Sequence, residues 1–467
     1  MPPTSEKSGW PPGQEEPESV PGWLNPYTGG VEGFRRRAAE AYGGASLGTV
    51  LDALACADGG NGDALPQYLH AAEVVMEHGA DFLVVAGILL CHAYRDGTMD
   101  LRSIEERFGA DVARVVRGAG DDGTIRTDTE NNRRRDLESL LDSMAADVRG
   151  TIARIGLRLA DLEGNHLDAA GYRAMARETL DIHAPMTSRL GMKGMRQRLE
   201  DVCFRILEPR TYREIESAVA PERVSDAACM DIIRKAIEEM LGRNGIEAEV
   251  TGRVKGLYSI YRKMCALDCS APEIMDKIGL RIIVRSVPGC YAVLGILHTH
   301  FRPIPGTFDD YIGLPKDNGY QSLHTCVYPL RSVSIKPVEF QIRTRAMHRE
   351  AELGIAAHWR YKSESETRDI VSRHLSGLRS IRDVHTGSSS YGDFVEKLRR
   401  HVFDDCLVVF TGSGRQVRLP AGATVMDFLI RAGSGAPPAS AAVNGVARAL
   451  DHPLRDGDTV EIDGQES

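Results

Sequence analysis

Three segments near the middle of the chain carry side chains suited to handling phosphates and a purine. In Val338-Glu-Phe-Gln-Ile-Arg343 apolar and polar residues alternate, so a strand here sets Val338, Phe340 and Ile342 on one face and Glu339, Gln341 and Arg343 on the other. A second alternating run, 278–285, opposes Ile278, Leu280, Ile282 and Val284 to Arg281 and Arg285, and Asp276 stands just before it. Two carboxylates on neighbouring strands, Asp276 and Glu339, can hold Mg²⁺ that bridges phosphate oxygens. Spacing alone does not make the strands neighbours, and an ordinary half-solvated strand has the same alternation. In the third segment, 309–324, an Asn318-Gly319 turn presents Lys316 and Tyr320 together, with His324 close behind. Tyrosine on such a turn can stack on a base and lysine can reach phosphates, while a plain hairpin loop with a half-buried tyrosine has the same composition.

The dipeptide Gly-Lys never occurs, which excludes a G-x-x-x-x-G-K-[ST] phosphate loop and leaves phosphates to side chains. Arg253 and Lys255 stand where a helix begins, with Leu257, Ile260, Tyr261 and Met264 as its apolar stripe. Arg262 and Lys263 fall on its exposed side, and a basic cluster of this kind also fits a solvated face.

These residues need a frame, and the chain divides into several. Residues 1–32 are rich in proline and acidic residues and read as a disordered tail. From 33 to 210 the apolar period is helical, as in 82–91, 137–144 and 151–160. Linking helices fill 211–246. A mixed α/β unit follows over 247–363, with helices at 290–298 and 345–361 beside the alternating strands. A polar linker, 364–403, leads to a small β-grasp-like unit over 404–464, with a strand at 406–410, a turn at 412–414, a helix from Thr424 and a strand near Val460. The fold class is multidomain: all-helical, then mixed-sheet α/β, then β-grasp.

Composition narrows the function classes. The chain of 467 residues has 57 basic and 66 acidic side chains, a balance that argues against nonspecific coating of nucleic acid. Its longest apolar stretch, 82–91, is too short to span a membrane, and the start has no signal-peptide layout, so a cytoplasmic protein is expected. Nine scattered cysteines without a repeated C-x-x-C pair fit neither a disulfide framework nor a zinc ribbon.

Gly252-Arg-Val-Lys-Gly-Leu-Tyr-Ser-Ile-Tyr-Arg-Lys-Met264, 276–284, Cys290-Tyr-Ala-Val-Leu-Gly-Ile-Leu-His-Thr299, 308–325, 338–344 and Gly354-Ile-Ala-Ala-His-Trp359 closely resemble, in that order, the synthetase domain of long RelA/SpoT homologues. The resemblance covers roughly residues 50–465. It implies a nucleotidyltransferase-like sheet, an HD-like helical domain and a TGS domain, and transfer of pyrophosphate from ATP to the 3′-hydroxyl of GTP or GDP. It also implies roles. Asp276 and Glu339 would be the Mg²⁺-associated carboxylates, with Glu339 taking the proton of the attacking hydroxyl. Tyr320 would stack on guanine, with Lys316, Asn318 and His324 around the acceptor nucleotide. Arg253 would pack against adenine, with Lys255, Arg281 and Arg343 near the donor phosphates. Because that reaction rests on positioning and charge neutralisation, the residue types suit it.

The helical part departs from the family pattern. Hydrolase-competent members read Leu-Leu-His-Asp-Val-Val-Glu-Asp where this chain has Leu89-Leu-Cys-His-Ala-Tyr-Arg-Asp96. Cys91 and His92 thus replace a histidine and an aspartate ligand, and Arg95 replaces the glutamate of the water-activating pair. His70 and Asp161 keep the outer ligand positions, while the Arg-Leu-His-Asn that follows in the family has become Leu162-Glu-Gly-Asn165. A thiolate poorly suits a hard metal ion and a cation at Arg95 repels one, so His70, Cys91, His92, Asp96 and Asp161 are read as remnants of a hydrolase site. A rewired hydrolase remains the competing expectation. Asp309 stands where bifunctional members tend to have lysine, and Leu267-Asp-Cys-Ser270 where they carry a basic motif; both resemble the synthetase-only branch.

Val408-Val-Phe-Thr-Gly-Ser-Gly414, 419–428, Val443-Asn-Gly445 and 454–461 resemble a TGS domain, which in ribosome-responsive members meets the acceptor end of uncharged tRNA through a histidine after an Asp-Phe pair. Gly433 occupies that place here and offers neither stacking nor a donor, which argues against direct tRNA reading. The chain ends at Ser467 without the further regulatory domains of full-length members. Control by a small molecule, a protein partner or self-association is expected instead. Two alternatives complete the expectations: a non-catalytic regulator that binds guanine nucleotides or tRNA, and a 3′-pyrophosphokinase acting on another nucleotide.

Overall fold

The computed structural model describes residues 29–59, 64–120, 147–164, 167–252, 256–267, 270, 278–316, 319–328, 333–334, 336–356, 407–412, 416–419, 422–432, 441–455 and 457–461. The first part is helical. Helices Gly30–Ala41, Gly44–Asp58, Leu65–Glu77, Phe82–Arg95, Leu101–Phe108, Ala110–Gly120 and Val148–Glu163 pack around one apolar core. The helix Phe82–Arg95 is buried over most of its length and begins where Asp81 accepts a hydrogen bond from the Val84 amide at 3.1 Å. The first helix starts at Gly30, inside the stretch 1–32 expected as a tail, with Glu32 in its first turn. The segment 137–144, expected to be helical, lies outside the described residues.

Helices Ala169–Glu178, Ala184–Arg189 and Lys193–Leu207 follow, and the linking region is a single helix, Pro209–Arg243, with Pro221 inside it. At its start Phe204, Ile215 and Val219 meet Leu257, Ile260 and Tyr261, the stripe predicted for the helix Leu257–Leu267. Arg262 and Lys263 are exposed.

The mixed sheet has the order β1-β2-β5-β4-β3, formed by Glu249–Gly252, Ile278–Val284, Val338–Thr344, Leu323–Val327 and Asp309–Asp310. Strands β2 and β5 run parallel at its centre, and the other pairings are antiparallel. Ile278, Leu280, Ile282, Val284, Val338, Phe340 and Ile342 all turn to one face. There they bury against the helix Val287–His300 and the end of Pro209–Arg243, through Cys290, Val293, Leu297, Ile233, Ile237 and Leu241. The polar face is thereby left for chemistry.

Thr344 ends β5 and caps the next helix, Arg345–Leu353, its hydroxyl accepting from the Met347 amide at 3.2 Å. Of the helix expected at 345–361, the described part is interrupted after Leu353, and 357–361 lie outside the described residues. Gly354, at φ 57° and ψ −140°, turns the chain out of it, and the Ile355 amide then donates to the Leu190 carbonyl at 2.9 Å. Ile355 and Ala356 are buried in the core of the helical part, so the sheet unit is anchored into its neighbour.

The last unit is a five-stranded sheet, β7-β6-β10-β8-β9, formed in that order by Gln416–Leu419, Leu407–Thr411, Thr459–Glu461, Ala441–Val443 and Val446–Arg448. The helix Val425–Ala432 lies across it through Val425, Phe428 and Leu429. Among the described residues, no helix is long and apolar enough to cross a membrane.

Candidate functional site

Strand register gathers the polar face. Glu339 sits opposite Gly279 on β2 and Cys326 on β4. One position further, Arg281, Gln341, His324 and Asp309 form a single row across four strands. Arg343 follows on β5, fully buried. Glu339 is half-buried and accepts a hydrogen bond from Gln341 Nε2 at 3.1 Å.

Beside this row the segment 309–324 folds into an aromatic cluster. Asp310 shapes its start: Oδ1 accepts from the Ile312 and Gly313 amides at 3.0 and 2.8 Å, and Oδ2 from the Tyr291 hydroxyl at 2.9 Å. Of the predicted turn, Lys316, Gly319 and Tyr320 lie within the described residues. Gly319 N–H donates to the Lys316 carbonyl at 2.8 Å with Gly319 at φ 75°, and Lys316 N–H donates to the Tyr320 carbonyl at 3.1 Å. Tyr320 Oη and His324 Nε2 are 2.8 Å apart, and Tyr311 packs edge-on to both rings, with centroids at 6.2 and 5.2 Å. Lys316 Nζ lies 4.8 Å from the Tyr311 centroid and the Arg343 guanidinium 5.9 Å from that of Tyr320.

The electrostatics favour an anion. Glu352, from the helix Arg345–Leu353, pairs with Arg281 at 2.9 Å and Arg343 at 3.3 Å. Burial lowers the Arg343 pKa to about 10, leaving it charged at neutral pH. Arg343 Nε and Nη1, Arg281 Nε and the side-chain oxygen Oε1 of Gln341 are buried with no hydrogen-bond partner among the described residues. Buried donors of a cation without acceptors are costly, and a polyphosphate supplies such acceptors.

His348 packs against the same group, facing Arg343, Arg281 and Glu352. Burial first, then the two guanidinium charges, hold its imidazole down to about 4 from 6.5. Between those values the unfolded chain takes up a proton that the folded chain refuses, so stability declines as pH falls through that window and is unaffected above it. His348→Gln is expected to make the decline shallower, as thermal melts above and inside the window will read. Equal slopes in parent and variant would mean that the imidazole protonates freely in the folded protein.

Of the predicted residues, Arg281, Lys316, Tyr320, His324, Glu339 and Arg343 come together on or beside this face. Asp276, Arg253, Lys255 and Asn318 lie outside the described residues. Gln341, Tyr311, Glu352 and Lys193 belong to the same group and were not predicted as site residues. Gln341 and Tyr311 stand within the quoted motifs. Glu352 and Lys193 lie on helices, where no local pattern marks them.

In the helical part His70 and Asp161 are engaged by other side chains, while both ring nitrogens of His92 are buried with no hydrogen-bond partner among the described residues. His70 Nε2 is 2.7 Å from Glu163, which belongs to the altered Leu162-Glu-Gly-Asn165 stretch, and Arg198 grips the same carboxylate at 2.7 and 2.8 Å. Burial alone would raise the Glu163 pKa, but bonds from His70 and Arg198 bring it below the usual carboxylate range. Asp161 accepts from Gln67. Cys91 is wholly buried, which pushes its thiol up to about 12 and keeps it protonated. His92 is buried edge-on to Tyr68, with Asp96 3.8 Å away, and Arg95 donates to the Tyr68 hydroxyl at 3.0 Å. Among the described residues no three His, Cys, Asp or Glu side chains are grouped to hold a metal ion.

The architecture is that of a multidomain protein with an HD-type helical unit, a mixed-sheet unit and a TGS unit. Residues 52–193 match the HD domain, 252–366 the region found in RelA / SpoT proteins, and 407–462 the TGS domain. The chain belongs to the RelA/SpoT family. It is 38% identical over 405 residues to a probable guanosine-3′,5′-bis(diphosphate) 3′-pyrophosphohydrolase of Synechocystis sp., covering 84% of this chain and 52% of that protein. It is 34% identical over 417 residues to a GTP pyrophosphokinase of Streptomyces coelicolor, covering 84% and 48%. The chain thus spans about half the length of these curated relatives. Among solved structures, the small alarmone synthetase 1 from Bacillus subtilis bound to its product pppGpp aligns at 26% identity with a TM-score of 0.26, over 37% of this chain and 99% of that one.

Proposed function

We propose that this chain is a Mg²⁺-dependent synthetase that moves pyrophosphate from ATP to the 3′-hydroxyl of GTP or GDP, and that its helical unit has lost the hydrolase activity. The observation that carries the reading is the polar face of the sheet: a half-buried carboxylate, Glu339, beside buried guanidinium groups with unused donors and next to Tyr320 and His324. The names of the relatives point to opposite activities, so the decision falls to these residues.

In this reading Tyr320 stacks on the guanine, and Lys316, Asn318 and His324 hold the acceptor. Arg253 packs on the adenine, with Lys255, Arg281 and Arg343 on the donor phosphates. Glu339 accepts the proton of the 3′-hydroxyl as its oxygen bonds to the β-phosphorus of ATP; the bond from that phosphorus to the α-phosphate oxygen breaks, and AMP leaves. Oxygen donors suit Mg²⁺, which takes few protein carboxylates beside substrate phosphates, so Glu339 fits it and Asp276 is the second candidate. Bound there, the ion would offset charge on the transferred group. In the helical unit, the Glu163 carboxylate on His70 and the protonated thiol of Cys91 speak against a hard-metal site.

The test is a nucleotide separation after incubating the protein with ATP, GTP or GDP and Mg²⁺. The expected result is a 3′-pyrophosphorylated guanosine nucleotide with an equal amount of AMP, and no pyrophosphate release when that product is returned with Mn²⁺. No such product, under conditions where a known synthetase works, would overturn the assignment.

A further inference from the structure

One side chain at this site comes from the helical unit. Lys193 is the first residue of Lys193–Leu207, and its ammonium lies 6.0 Å from the Tyr320 ring centroid, at the same range as the Arg343 guanidinium. Its position is fixed by the joint between the units. Just before it, the Leu190 carbonyl takes the Ile355 amide at 2.9 Å; just after it, a Cβ at Gly194 would meet the His78 ring and the Glu352 carbonyl. Cations gather in this corner. Arg281 and Arg343 pair with Glu352 at 2.9 and 3.3 Å. Burial raises the pKa of the Glu352 carboxyl, but the charges of Arg281, Arg343 and Lys193 hold the group below its usual range. Lys316 lies close by on Tyr311. Several cations around one aromatic ring suit a ligand with a base and several phosphates.

We infer that Lys193 is a binding residue for the phosphates of the guanosine nucleotide held at Tyr320, supplied to the mixed sheet by the helical unit. The inference rests on the synthetase reading above. It gives the helical unit a task independent of hydrolysis: it completes the acceptor site.

The test compares Lys193→Met and Lys193→Arg with the parent in the full chain, after melts show that all three fold alike. Removing one charge-assisted phosphate contact is expected to raise the KM for GDP or GTP by about tenfold in Lys193→Met, leaving the KM for ATP and kcat within about twofold. Lys193→Arg should restore most of the loss, and added salt should narrow the gap. An unchanged acceptor KM, an equal rise for ATP, or no recovery with arginine overturns the inference. Calorimetric titration with GDP separates the two claims. Should the parent make no product, the synthetase reading fails, and GDP binding still decides on Lys193: about tenfold weaker in Lys193→Met supports it. Equal affinity, or no GDP binding by the parent, ends it.

Discussion

On the proposed synthetase reading, Glu339→Gln is expected to abolish product formation, with turnover falling by about 10³-fold or more, while the protein melts as the parent does. A positioned general base contributes about 10²–10⁴-fold by itself. The same change removes a negative charge from the face that would hold Mg²⁺. Glu339 is half-buried, its backbone is paired on both sides by β2 and β4, and its Oε1 accepts one bond from Gln341, which an amide oxygen also accepts. GDP binding is expected to survive, since the aromatic cluster stands on β4 and its preceding turn. Product at close to the parental rate from Glu339→Gln would remove the proton acceptor from the mechanism. A large drop in melting temperature would make Glu339 a structural residue.

Why this carboxylate was visible in the sequence, and others were not, follows from the geometry of strands and helices. Strand side chains repeat every two residues, so the alternation in 338–343 and 278–285 assigns faces without knowledge of the neighbours. The pairing does need the third dimension: β2 and β5 lie side by side through parallel contacts that no local pattern encodes. Once they pair, Arg281 is bound to face Gln341. Glu352 and Lys193 show the opposite case. Each lies on a helix whose local pattern does not mark it, and acquires its place only where the Gly354 turn presses against Leu190–Met192.

The helical unit carries the same lesson in its charges. The departures at Cys91, His92 and Arg95 from the hydrolase pattern of the family were legible in the sequence, since residue type bears on whether a hard ion is held. That Glu163 would occupy His70 and also draw Arg198 from Lys193–Leu207 was not legible, because that contact depends on how two helices pack. The helix expected at 345–361 is interrupted at Gly354 for a related reason: the turn at 354–355 leads Ile355 and Ala356 into a neighbouring core, and 357–361 lie outside the described residues.

That junction makes Gly354 the position where a single methyl group should do most harm to the architecture. Its φ of 57° with ψ of −140° belongs to a region essentially reserved for glycine, and any other residue is strained there. Space is also lacking. A Cβ would overlap the Leu190 carbonyl oxygen and lie 2.5 Å from the Gly191 carbonyl carbon and 2.6 Å from the Met192 nitrogen. These are backbone atoms held by their own bonds, Ile355 N–H to Leu190 among them, so no rotamer change relieves the clash. Gly354→Ala is expected to cost about 3 kcal/mol or more and to make the joint susceptible to proteolysis. Gly295→Ala is the control. Gly295 is exposed within the helix Val287–His300 with open space around it, and alanine there should be neutral or stabilising by about 0.5–1 kcal/mol. If Gly354→Ala melts with the parent and resists protease equally, the two units are not locked through this turn. Should it be destabilised as expected, its KM for GDP will rise as well, because the strained turn presses on the segment that aims Lys193 at Tyr320.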